Sequence, residues 1–187
     1  METVRDLIKA GMRKAGVLAS GRDPKAAELA DGLDVVQGLY DGWATNGMFG
    51  CLTEIIATED YEAREGERVR ADTGVTVTLP TTITECGEDR TPYDLAMIVV
   101  VQDGASQVSI YDAFAGAWVR LDGLTVDTVP PLMRRDRDGL SCCVAVAYVD
   151  EFGGNIGAST ANKAASFRVS LSMRSGNAYR PSQPSYF

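Results

Sequence analysis

Four carboxylates crowd one short stretch: Glu54, Glu59, Asp60 and Glu62. Paired carboxylates can hydrolyse a glycosidic bond when burial keeps one protonated and the other stays ionised. A cell-wall hydrolase is the enzyme such a cluster would serve. On a strand running from Leu52 to Glu59, Glu54 and Asp60 share a face and Glu59 lies on the other. The plainer reading carries more weight. Charges along a strand edge keep it solvated and discourage pairing with other chains.

The chain has no histidine. That removes the commonest general base, the Ser-His and Cys-His nucleophile pairs, and the commonest zinc ligand. Its four cysteines are Cys51, Cys86, Cys142 and Cys143, and none forms a CxxC pair. Adjacent residues on one element point in different directions, so a zinc site from all four weighs little against free, mostly buried thiols in a reducing cytoplasm. No catalytic residue, cofactor or metal is therefore expected.

Formal charge is −8 over 187 residues, with 18 basic against 26 acidic side chains. Such a balance repels a phosphate backbone and disfavours a dedicated DNA-binding role. Hydrophobic content of 45% supports a packed core. No apolar run is long enough to span a bilayer, and an amphipathic N-terminus bearing Glu2 is unlike a secretory signal.

The first fifty residues carry the clearest pattern. Val4, Leu7, Ile8, Met12 and Ala15 form one stripe of a helix that Gly16 ends. Asp23 is expected to cap a second helix with Pro24 in its first turn. Ala26, Leu29, Leu33, Val36, Tyr40 and Trp43 form its stripe, and Gly47 ends it. Gly32, Gly38 and Gly42 each cost about 1 kcal/mol relative to Ala inside a helix. Either a neighbouring backbone comes close there, or packing merely tolerates them.

From Phe49 to about Val126 short runs rich in Val, Ile, Thr and Tyr alternate with turn signals, which predicts a small antiparallel sheet. Ala96–Val101 is continuously apolar and is expected at its centre. After Pro130-Pro131 a third helix is expected near Asp138, with Leu140, Cys143, Val144, Ala147 and Tyr148 on its apolar face and Gly153-Gly154 at its end. A fourth, capped by Ser159 or Thr160, carries Ala161, Ala164, Ala165, Arg168, Leu171 and Ser172. The tail Asn177–Phe187 is polar and cannot pack a core alone.

The fold class is thus α+β. A helix pair at 1–48 and another at 131–176 complete one four-helix core, an antiparallel β lobe is inserted at 49–130, and an extended tail follows at 177–187.

This order resembles the phage head-to-tail connector adaptors, also called tail accessory factors or head-completion proteins. The resemblance rests on Ala15-Gly16-Val17-Leu18, Gly21, Pro24, Glu28, Gly32-Leu33 and Asp41-Gly42-Trp43. Downstream, Gly139-Leu140, Glu151-Phe152-Gly153 and an Ala-rich helix look like the family's C-terminal pair. The strand region offers no residue match.

The resemblance implies a structural virion protein of the neck, built as a homo-oligomeric ring of twelve copies beneath the portal protein. A tail or stopper protein docks on the opposite side, and double-stranded DNA passes through as cargo. It also implies a C-terminal extension that reaches the portal. Tyr179, Arg180, Pro181, Pro184, Tyr186 and Phe187 are the expected portal- or subunit-binding residues, because proline limits the entropy lost on docking and aromatics supply anchor area. Arg134, Arg135 and Arg137 are expected at a subunit interface or the channel. The interleaved Asp136 and Asp138 favour local ion pairing over DNA contact. The remaining alternatives are the hydrolase and a small cytoplasmic adaptor unrelated to phage.

Overall fold

A computed structural model describes residues 2–50 and 52–178, with the side chains at 133–135 and 174–178 outside that description. Helix α1 spans Val4–Lys14. Its stripe is as expected: Val4, Leu7, Ile8, Met12 and the following Ala15 are all buried. The Thr3 amide donates to the Asp6 carboxylate at 3.0 Å, satisfying a free N–H at the helix start. Gly16 ends the helix with φ +73°, a conformation glycine adopts without Cβ strain.

Helix α2 spans Ala26–Thr45, beginning two residues later than expected from Pro24. Asp23 does not cap it. Its carboxylate pairs with Lys9 of α1, and the Glu28 carboxylate instead accepts the Lys25 amide at 2.7 Å. Leu29, Val36, Tyr40 and Trp43 are buried as the stripe requires, and Val35 joins them.

Helix α3 (Met133–Phe152) is broken at Asp136, whose φ of −134° and ψ of 43° are not helical. The regular helix therefore begins just ahead of Asp138, and a short turn joins it across the kink. From Leu140 to Ala145 every residue is buried, Ser141 included. Burial on all sides marks α3 as the central helix, and it packs against α1, α2 and α4.

Helix α4 spans Ala158–Ala178 and buries Ala164, Phe167 and Leu171. Ala165, Arg168 and Ser172, expected on the packed face, are exposed. The reason is Gly139 of α3. A Cβ there would fall 2.5 Å from the Phe167 ring, so the missing side chain creates the seat for Phe167 and sets the rotation of α4.

Between α2 and α3 the described residues form nine strands: β1 (Thr53–Ala57), β2 (Tyr61–Glu62), β3 (Glu67–Ala71), β4 (Val77–Thr78), β5 (Ile83–Glu85), β6 (Glu88–Arg90), β7 (Met97–Gln102), β8 (Ala105–Asp112) and β9 (Ala117–Arg120). Five form one sheet in the order β1-β3-β7-β8-β9, with β7 central as its apolar run requires. The sheet is mixed, which corrects the antiparallel expectation. β1, β3 and β7 run parallel, and only β7-β8-β9 is an antiparallel meander. The connections from β1 to β3 and from β3 to β7 carry β2, β4 and the β5–β6 hairpin, so the parallel crossovers are made of small strands rather than helices.

Alternation along β7 divides the interior in two. Met97 and Val99 join Ile110 in the core shared with all four helices. Ile98 faces the other way, into a smaller cluster with Ala57, Ala63 and Val69. The sheet thus covers the helical core with one face and packs its own small strands on the other.

Candidate functional site

Two of the four carboxylates that could do hydrolytic chemistry have partners within the lobe. Strand β1 ends at Ala57, so Asp60 lies in the turn before β2 and does not share a strand face with Glu54. Glu54 is ion-paired with Arg70 of β3. Asp60 accepts the Thr76 amide at 2.8 Å and fixes the β2–β4 pair. Glu59 and Glu62 are exposed.

Two other acids in the lobe are buried, Glu67 and Asp112. The Glu67 carboxylate accepts the Tyr61 hydroxyl at 3.1 Å and the Arg64 amide at 2.8 Å. Asp112 accepts the amides of Phe114 and Ala115 and shapes the β8–β9 turn. Both are committed to backbone donors, which is how a buried carboxylate is stabilised.

Of the cysteines, Cys142 and Cys143 are buried and free, and Cys86 is exposed at the β5–β6 turn. Cys51 lies outside the described residues. Burial pushes the Cys143 thiol up to about 11, so it is held as a thiol. Among the described residues no group of three or more His, Cys, Asp or Glu side chains could hold a metal ion.

Charged residues instead converge where α1, α3 and α4 meet. Asp138 receives Lys14 from α1 and, at 2.7 Å, Lys163 from α4. The two ammonium groups, Lys14 first, hold its carboxyl down to about 2. Lys14 also lies 3.2 Å from the Cys142 sulfur. Arg137 pairs with Glu2, just ahead of α1. Ion pairs around the start of α3 therefore tie it to α1, to Glu2 and to α4. The side chains of Arg134 and Arg135 lie outside the described residues.

An open groove of about 710 Å³ runs beside this hub, lined by Asp136, Asp138, Ser159, Lys163, Ser166 and Phe167. A second, of about 660 Å³, sits in the lobe between Glu62, Pro80, Ile83, Glu85 and Arg90. Arg90 is part of its lining. Its guanidinium reaches Glu65 and Glu85 at 2.8 Å each and lies 3.7 Å from the Tyr93 ring centre.

The helix glycines divide unequally. Gly32 is a close approach: a Cβ there would meet Ile8 of α1 and lie 2.8 Å from the Tyr148 hydroxyl. Gly38 and Gly42 have open space. Gly11 and Gly139 are two further crossings that sequence reading missed, each 2.5 Å from a side chain once a Cβ is added. Nothing in their local pattern separates them from tolerated glycines.

The expected tail residues Tyr179, Arg180, Pro181, Pro184, Tyr186 and Phe187 lie outside the described residues. Among the described residues no helix is long and apolar enough to cross a membrane. No protein-family model matches the chain, and no curated protein matches it.

Proposed function

We propose that this chain is a structural adaptor of a phage neck, without catalytic activity of its own. Copies assemble into a ring, twelvefold in this reading, between the portal protein and a tail or stopper protein. DNA crosses the ring as cargo.

The observation that carries the reading is the split helical core. Helices from both ends of the chain close one core, and a β lobe is carried between them. This is the architecture that the connector resemblance implies. The commitment of Glu54, Asp60, Glu67 and Asp112 to partners within the lobe supports a structural role for its acids.

In this reading the segment after α4 docks on the portal. Deleting residues 178–187 tests it, with the attachment of full-length and shortened chains to purified portal rings compared by co-sedimentation. The shortened chain is expected to fold and lose attachment. Unchanged attachment rules out this role for the tail.

A further inference from the structure

Helix α4 is finished on one face only. Ala164, Phe167 and Leu171 are buried, and Phe167 lies 5.9 Å from the Trp43 ring. The opposite face carries Asn162, Ala165, Val169 and Met173, all exposed, with Val169 at 53% and Met173 at 65%. Lys163 and Arg168 flank this strip. From residue 152 to 187 the sequence has four basic side chains and no acidic one.

The β lobe has the opposite character. Residues 49–130 hold fifteen acidic side chains against five basic. The β5–β6 hairpin stands outside the five-stranded sheet and exposes Glu85, Glu88 and Asp89. Its groove has the half-buried Ile83 in the lining and Glu62 and Glu85 on the polar side, with Arg64 and Arg90 among them. An apolar strip beside cations on one element thus has a counterpart of opposite charge, with Ile83 among the acids, on another element of the same chain.

We propose that α4 of one copy seats on the β5–β6 hairpin groove of the next, Val169 and Met173 against Ile83, with Arg168 facing the acidic rim. The contact joins different surfaces of identical copies. Repeated, it closes a ring if the rotation between copies allows. The proposal rests on the neck reading only in identifying the oligomer as that ring. Duplex DNA is the other anionic occupant a cationic helix could meet. The central strip argues against it, because hydrocarbon gains nothing beside phosphate.

Two variants at exposed positions test the contact: V169D/M173D spoils the helix strip, and E85K/E88K spoils the hairpin. Sedimentation velocity is run on each chain alone and on a one-to-one mixture, with circular dichroism as a folding control. The wild type is expected to self-associate in low salt and to dissociate as salt rises, since screening weakens charge pairing. Each variant alone is expected to stay monomeric. The mixture is expected to stop at dimers, because it offers one intact pair of surfaces.

A wild type that is monomeric in low salt overturns the contact. So do variants that assemble like the wild type, or association lost in the helix variant alone. Loss of binding to a short DNA duplex in V169D/M173D, with assembly unchanged, assigns the strip to DNA. Capture on portal rings is read in parallel. Variants that still form rings on portal sink this contact and leave the neck reading standing. A wild type that self-associates but ignores portal does the reverse. If either variant misfolds, the salt dependence of the wild type decides, and salt-insensitive association counts against the proposal.

Discussion

The Tyr40 hydroxyl of α2 donates to the carbonyl oxygen of Pro131, ninety-one residues along the chain at the threshold of α3. Tyr40 is fully buried, and burial, with the nearby Asp112 charge, pushes its phenol above the usual range, so it stays a neutral donor. One hydrogen bond thus joins the N-terminal helix pair to the point where the chain leaves the lobe. Replacing Tyr40 by Phe strands a buried carbonyl. The expected loss is about 1–3 kcal/mol in urea unfolding. A loss near zero would mean that Pro131 finds another donor.

Gly32, Gly139 and Gly38 should respond with opposite signs. A Cβ at Gly32 or Gly139 meets Ile8 or the Phe167 ring, and each Ala variant should lose roughly 1–3 kcal/mol to overpacking. Gly38 faces open space, so Gly38→Ala should gain about 0.5–1 kcal/mol from helix propensity. Thermal melts of the three variants check the order. Destabilisation by Gly38→Ala would point to an interface on that face.

The Asp138 hub gives stability an acid limb. Lys14 and Lys163 hold its folded carboxyl down to about 2, below the usual aspartate range. A depressed carboxylate contributes fully above the unfolded value and loses its contribution as pH falls from there through 2. The side chain is 62% exposed, so screening holds the effect to at most about 1 kcal/mol. Asp138→Asn should lower stability at pH 7 and flatten the loss between pH 4 and 2. Equal acid sensitivity in both chains would place that loss elsewhere.

The carboxylates of the lobe should not hydrolyse cell wall. Purified protein is expected to leave the turbidity of a peptidoglycan suspension unchanged. Clearing that disappears in Glu54→Gln or Asp60→Asn would reverse the non-enzymatic reading.

Legibility in the sequence followed burial on one side. Helix α1 has one wet face, so its stripe reads directly from spacing. Helix α3 is buried almost all round, and the order of its contacts could not be read from periodicity. Phe167 is absent from the stripe expected of α4, because its seat, Gly139, lies on another element. The parallel pairing of β1, β3 and β7 was missed for the same reason. Turn signals mark where strands stop, whereas register and direction depend on partners distant in sequence. The site was less legible still. Asp138, read as a local partner for arginines, gathers lysines from α1 and α4.

The neck reading is tested most directly by electron microscopy of the full-length chain mixed with purified portal rings. The account predicts a second ring, with twelvefold symmetry, seated coaxially beneath the portal and leaving an open channel. Portal rings that remain bare at saturating protein would contradict it.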